Sequence, residues 1–291
     1  MSQTSERLRL EFRQGDDIRD AGLETPADIE RCDDIAYGDD PLWQALDVYR
    51  PKGRGEKLPV IVSIHGGGWV YGDKQRYQYY CMSLAQRGFA VVNFSYRLAP
   101  EHKYPAQMED VNAVFAWVMA HAGEYGMDSS RLFAVGDSAG AHMLALYACI
   151  CTNPEYAATY AFKPPEDMKL SAIALACGVY EFDQAGGSLN LELMADLLPG
   201  GGTPGELEWI RPIGHITPDF PPTFAFTATG DYLNAQTPLL VEALRKNEVP
   251  FCFRFFGDSR NRLQHVFHCD MRLADGKMCN DEQCDFFRRF L

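Results

Sequence analysis

The sequence contains no apolar run long enough to cross a bilayer: its longest helical apolar stretch, residues 139–151, falls well short of the roughly 20 residues a span requires. The opening MSQTSERLRLEFRQGDDIRD is charged throughout and lacks the apolar core of a secretory leader. Basic residues are outnumbered, with 27 Lys and Arg against 40 Asp and Glu, and a formal net charge of −13 offers none of the cationic footprint that nucleic acid demands. The expectation is a soluble, cytoplasmic protein without nucleic-acid partners or a membrane span, acting on neutral or cationic small molecules. No C-x-x-C pair occurs among the nine cysteines, whose odd number and places inside apolar runs read as reduced core thiols and not as a disulfide scaffold. His265, His268, Cys269, Cys279 and Cys284 crowd the tail, yet their spacing follows no zinc-ligand pattern, so no metal is expected.

What remains is a chain of 291 residues, 46% hydrophobic and 12% aromatic, able to bury a large core. Short β-branched and aromatic runs at 46–51, 58–64, 90–96, 131–136, 170–177, 222–229 and 250–256 read as strands. Helical patterns near 76–87, 106–125, 139–152, 237–247 and 279–290 lie between them. This alternation predicts an α/β architecture with a mostly parallel sheet covered on both faces. Thr237-Pro238 reads as a helix N-cap and first turn, and Gly88 as a helix stop. Residues 1–43 read as an N-terminal cap segment before a catalytic domain at 44–291. The Gly-, Pro- and Leu-rich stretch 181–222 reads as a lid insertion, with Leu189, Leu193 and Leu197 as pocket-lining candidates.

Gly136-Asp137-Ser138-Ala139-Gly140 follows a strand and opens a helix, the setting in which a serine sits exposed on a sharp, strained turn. The pentamer alone is weak evidence, and its context carries the weight. Gly257-Asp258-Ser259 also follows a strand, but Arg260 and Asn261 come where the second glycine belongs and no amphipathic helix starts there. Ser138 is therefore the candidate nucleophile. A serine hydroxyl needs a base, and the base an orienting acid. Asp231, just past the strand at 222–229, and His265, just past the strand at 250–256, fill those roles in the order nucleophile, acid, histidine. His268, Asp258 and Asp183 are the rivals; His265 comes first after its strand and precedes an apolar pair, Val266-Phe267, that can anchor the loop. The chemistry passes through a tetrahedral oxyanion. That accounts for Gly66-Gly67-Gly68 after the strand at 58–64: the amides of Gly67 and Gly68, with that of Ala139, are the candidate oxyanion hole, and His65 reads as a structural support of the loop. Neither phosphate-binding glycine pattern is present at this strand.

Together, His65-Gly66-Gly67-Gly68-Trp69, the run Tyr96 to His102, Gly136 to Gly140, Asp231-x-Leu233 and His265-Val266-Phe267 resemble the hormone-sensitive-lipase-like esterases of the α/β-hydrolase fold. The resemblance covers residues 44–290. It implies hydrolysis of short-chain carboxylic esters through an acyl-enzyme, without metal or organic cofactor, on a small-molecule ester substrate. The chain departs from that family at Ala235, where a second acid is frequent, at Val266, where glycine is common, and in a short leader. Arg97 and Glu101 read as structural ion-pairing residues below the site. An arylformamidase-like amidase and a non-hydrolytic ligand binder on the same fold stay open, as does the oligomeric state, a homodimer included. If His265 is the base it must be neutral, so activity should fall as pH drops through the ordinary histidine range near 6.5.

Overall fold

A computed structural model describes residues 1–182 and 190–291. The strands are β1 (Ile29–Ala36), β2 (Ala45–Pro51), β3 (Leu58–Ile64), β4 (Ala90–Phe94), β5 (Met127–Asp137), β6 (Leu170–Ala176), β7 (Thr223–Ala228) and β8 (Phe251–Phe256). The helices are α1 (Gln3–Asp20), α2 (Lys74–Ala85), α3 (Ala106–His121), α4 (Ala139–Thr152), α5 (Pro154–Ala157), α6 (Leu191–Leu197), α7 (Pro204–Trp209), α8 (Gln236–Lys246) and α9 (Ala274–Arg288). The strands form one sheet in the order β1-β2-β4-β3-β5-β6-β7-β8, antiparallel at β1 and β2 and parallel from β4 onward.

Side chains on a strand alternate between faces, and here both faces are apolar. Val60, Val62, Leu132, Ala134, Ile173 and Leu175 pack toward one core with α3, α4 and α8, through residues such as Phe115, Leu144 and Leu240. Ile61, Phe133, Val135, Ala174 and Phe226 pack into a second core with α2 and α9, through Tyr80, Leu84, Cys284 and Phe287. Two helical layers therefore clamp the sheet. The register brings the strand ends to one rim, with Ile64 opposite Gly136 and Asp137 opposite Ala176.

The seven expected strands are all present, and an eighth, β1, was not foreseen. It comes from the stretch read as leader and forms an edge of the sheet, so only the residues before it, chiefly α1, lie over the rim. Its apolar pattern is thin because Glu30, Asp33 and Asp34 face solvent, and its register slips between Cys32 and Ile35. The cap of α8 also differs from expectation: the helix starts at Gln236, after Ala235, with no side-chain cap, and Thr237 lies buried inside its first turn. Gly88 does close off α2, at φ +95° with its amide on the Ala85 carbonyl. Of the insertion, residues 183–189, including Asp183 and Leu189, lie outside the described residues; the rest holds α6 and α7.

The start of α2 is pinned by charge. The Asp73 carboxylate caps it, accepting from the Arg76 amide at 3.0 Å, and buried Lys74 donates to Asp34 and Asp47 at 2.7 Å each. Removing the cation alone strands the Asp47 carboxylate in the core. Lys74→Met is expected to lower the unfolding free energy by about 3–5 kcal/mol, measured by urea denaturation; an unchanged midpoint would show that the pair is dispensable.

Candidate active site

β5 runs straight into Ser138, whose backbone takes φ +52° and ψ −119° before α4 begins at Ala139. Such a turn is strained for any residue with a side chain, and it is held by the Ser138 amide on the Ala176 carbonyl at 2.9 Å and by the His142 amide on the Ser138 carbonyl at 3.1 Å. Close approach explains the following glycine: a Cβ at Gly140 would overlap the carbonyl oxygen of Ile64. The first turn of α4 therefore lies directly against the end of β3, with its free amides aimed at the rim.

The chain leaving β3 forms the glycine loop. Gly67 has φ +117°, and a side chain there would overlap the Tyr71 carbonyl, while the Gly67 carbonyl accepts from the amides of Val70 and Tyr71 at 3.2 and 3.0 Å. Three aromatic contacts hold the loop from below. His65 donates from Nδ1 to the Gly66 carbonyl at 2.7 Å and stacks on Tyr96 at 4.0 Å, and the Tyr96 hydroxyl donates to the His65 carbonyl at 2.9 Å. Burial lowers the His65 pKa to about 4, so it is neutral and structural. Trp69 donates from Nε1 to His142 Nδ1 at 3.2 Å, which leaves His142 Nε2 to donate to the Ile210 carbonyl at 2.7 Å. The third is Tyr77 of α2, which no sequence signal pointed to. Its hydroxyl accepts from the Gly66 amide at 3.0 Å and donates to Asp137 Oδ2 at 2.7 Å.

On the far side of Ser138, β7 delivers Asp231. Its carboxylate accepts from the Thr227 hydroxyl at 2.6 Å, the Leu233 amide at 2.8 Å and His265 Nδ1 at 2.6 Å. Burial works to raise its pKa, but the His265, Thr227 and Leu233 hydrogen bonds hold it below the ordinary carboxylate value. The loops carrying Asp231 and His265 are stitched to each other by the Gly230 amide on the Leu263 carbonyl at 2.7 Å and a parallel bridge from Gly230 to Gln264. Val266, at φ +53°, turns the chain immediately after His265, a left-handed conformation that a β-branched residue adopts only at a cost. That conformation is the physical reason glycine suits this position.

The structure thus joins His265 to Asp231 and sets Ser138, Gly66, Gly67 and His265 around one cavity of about 550 Å³. Ser138 and His265 face that shared space without a hydrogen bond between them. Ser138, Gly68 and Ala139 also border a second cavity of about 500 Å³, lined by Leu8, Trp69, Val179, Leu193 and Met194. Glu11, Phe12, Ser138 and Tyr232 border both cavities. The rivals are elsewhere: His268 is buried against Tyr80 and Phe226 with its pKa lowered to about 3 by burial, and Asp258 caps an exposed turn through the amides of Arg260 and Asn261. Leu193 lines a cavity, whereas Leu197 is fully buried in the core. Arg97 pairs with Asp110 and Glu109, and Glu101 with Arg9 of α1, so the two residues serve different contacts.

α1 roofs the site, with Leu8 packed against the core and the Phe12 ring 5.9 Å from that of Tyr71, and most of its other contacts are polar. Ser2 and Ser5 hydrogen-bond Asp196, Thr4 bonds Glu192 of α6, Arg9 reaches the Val70 and Ala99 carbonyls, Arg76 pairs with Asp17, and the Tyr71 hydroxyl donates to Asp16 at 2.9 Å. Among the described residues, two donor sets lie within 4.8 Å, Asp137-His268-Cys269 and Cys177-Asp231-His265. Both are already engaged, through the Asp137–Tyr77 and Asp231–His265 bonds, and Cys279 and Cys284 belong to neither. All nine cysteines are free. No helix among the described residues is long and apolar enough to cross a membrane.

The BD-FAE family model matches residues 46–244. Esterase LipC of Mycobacterium tuberculosis is 35% identical over 153 residues, 51% of this chain and 37% of that protein. The probable carboxylic ester hydrolase LipM of the same organism is 30% identical over 209 residues, 69% of this chain and 48% of that protein. The matched part is thus about half or less of these curated relatives. Esterase B from Lactobacillus rhamnosis superimposes with a TM-score of 0.90 at 25% identity, covering 99% of this chain and 94% of that one. A further structure of that esterase, described as inhibited by a tributyrin phosphonate, gives a TM-score of 0.88. The architecture is that of the α/β-hydrolase esterases.

Two outcomes follow from the Tyr77 bridge. Tyr77→Phe frees the Gly66 amide and is expected to lower turnover about tenfold with little change in KM, since loss of one oxyanion donor costs about 10²–10³ and loosening the loop costs less; steady-state kinetics reads this. Burial raises the Asp137 pKa to about 6, with the Tyr77 bond opposing, so the folded protein holds that proton more tightly than the unfolded chain. The group's contribution to stability therefore declines as pH rises from about 4 to 6. Asp137→Asn is expected to remove that decline in a series of melting curves across the window; parallel curves for the two proteins would contradict it.

Proposed function

Because the chain belongs to the BD-FAE family, we propose that it is a serine esterase hydrolysing short-chain carboxylic esters, with Ser138 as nucleophile, His265 as base and Asp231 as its orienting acid. The observation that carries this reading is the 2.6 Å bond from His265 Nδ1 to Asp231, opening on the same cavity as a serine on a left-handed turn.

A bond to Asp231 through Nδ1 fixes the tautomer and leaves Nε2 free toward the cavity. Ser138 Oγ attacks the ester carbonyl while His265 accepts its proton. The amides of Gly67, Gly68 and Ala139 receive the oxyanion, and the imidazolium then protonates the leaving alcohol. Water, activated by the same imidazole, hydrolyses the acyl-enzyme. Since the leaving oxygen must meet His265, the alcohol occupies the cavity beside it. The acyl chain occupies the other, where Leu8, Trp69, Val179, Leu193 and Met194 supply an apolar lining suited to a short acyl group. The inhibited Lactobacillus esterase, whose ligand is a tributyrin phosphonate, supports short acyl groups as the substrate class. Nine free cysteines suit a reducing compartment such as the cytoplasm.

p-Nitrophenyl esters of increasing chain length test the reading. Acetate to hexanoate esters should turn over, formanilides should be poorer substrates, and Ser138→Ala should lower kcat/KM by at least about 10³-fold with an unchanged melting temperature. Wild-type turnover in that variant, or failure of a fluorophosphonate to label Ser138, would overturn it; preference for formanilides would move the assignment to an amidase.

A further inference from the structure

Tyr232 follows the acid directly in the chain and behaves unlike a surface aromatic. It is 66% exposed, yet its ring lies over the His265 imidazole, with centroids 4.3 Å apart and planes inclined by 39°. Its side chain borders both cavities, in a neck shared with Glu11, Phe12 and Ser138. The phenol sits beside the Ser138 hydroxyl, and a tyrosine hydroxyl stays protonated through the range in which an imidazole titrates.

We propose that Tyr232 is a positioning residue: its ring face holds the His265 imidazole in place and stabilises the imidazolium formed during acyl transfer, while its bulk separates the acyl cavity from the alcohol cavity. The inference rests on the reading of His265 as the base. An aromatic face attracts a cation, and above the histidine pKa the cation exists only while His265 carries the serine proton. The ring therefore favours the transition state over the ground state, which is the condition for raising turnover. The same ring forms part of the neck beside the nucleophile, where an ester must place its two halves on either side.

The groups facing the imidazole are Asp231 from the end of β7, Cys177 after β6, Asp137 at the end of β5 and His268 from the turn at Phe267–Cys269. Glu11, Asp16 and Arg19 of α1, with Arg262 and Asp270, border the alcohol cavity. None is altered by a change at 232, so a shift in the acid limb of the rate profile reads the ring.

The experiment compares Tyr232→Phe and Tyr232→Leu in the purified protein, with p-nitrophenyl butyrate and a series of butyrate esters of bulkier alcohols. Leucine still covers the imidazole but removes the π face and leaves a smaller side chain in the neck. Tyr232→Phe should keep kcat and the acid limb of kcat/KM close to wild type. Tyr232→Leu should lower kcat by about three- to tenfold and move the acid limb to lower pH by roughly half a unit. It should also improve the bulkier alcohols relative to p-nitrophenyl butyrate. A leucine variant with wild-type kcat and limb overturns the proposal, and so does a phenylalanine variant as impaired as leucine, which would assign the effect to the hydroxyl. His265→Ala, assayed alongside, separates the two readings: retained turnover there overturns the base assignment itself, whereas lost turnover beside an unaffected leucine variant removes only the role of Tyr232.

Discussion

The rest of the site depends on one backbone contact, the approach of Gly140 in the first turn of α4 to the carbonyl of Ile64 at the end of β3. No side chain fits between them. Because β3 and β5 are parallel neighbours, the glycine loop leaving one and the serine turn leaving the other emerge at the same rim, and the glycine lets them close on each other. Two sets of amides, one from a loop and one from a helix N-terminus, can then converge on a single point. The sheet order also changes direction here: β4 lies on one side of β3 and β5 on the other, and open α/β sheets place their sites at such switch points.

Beyond β5 the order is sequential, β6, β7, β8, so each further strand moves outward by one position and drops its loop at the same edge. Asp231 and His265 come from adjacent strands, and their loops are joined by the bridge from Gly230 to Gln264. Strain concentrates around this edge. Trp69, Ser138, Cys177 and Val266 all have positive φ without being glycine, conformations that persist only where the surroundings over-determine them. The surroundings are polar and specific: Tyr77 between Gly66 and Asp137, His65 on Tyr96, and His142 between Trp69 and Ile210. Lys74 anchors the start of the helix that carries Tyr77, so a buried ion pair distant from the serine still governs the shape of the loop.

What was legible in the sequence is what periodicity and steric necessity write into it. β3 and β5 through β7 are buried on both faces and read as continuous apolar runs, and the glycines mark backbone contacts that tolerate no side chain. Other parts carry no such mark. α1 buries only Ser5 fully and, apart from Leu8 and Phe12, docks through serine, threonine, arginine and aspartate contacts, so its pattern resembles that of a solvated leader. β1 is an edge strand whose outer face is acidic. Tyr77 and Tyr232 are ordinary tyrosines until the fold sets one under the glycine loop and the other over the imidazole. The Thr237-Pro238 pair misleads because a threonine before proline is a common cap, whereas here the cap is Ala235, two residues earlier, and Thr237 lies inside the helix.

In the proposed mechanism the Ser138 hydroxyl, the His265 imidazole and the amides of Gly67, Gly68 and Ala139 act on one reacting atom. The structure of the protein inactivated by a short-chain alkyl phosphonate tests it most directly. Phosphorus is expected on Ser138 Oγ, its phosphoryl oxygen within about 3 Å of the three amide nitrogens and its alkoxy group toward His265. Phosphorus on any other residue, or a phosphoryl oxygen turned away from the glycine loop, would contradict it.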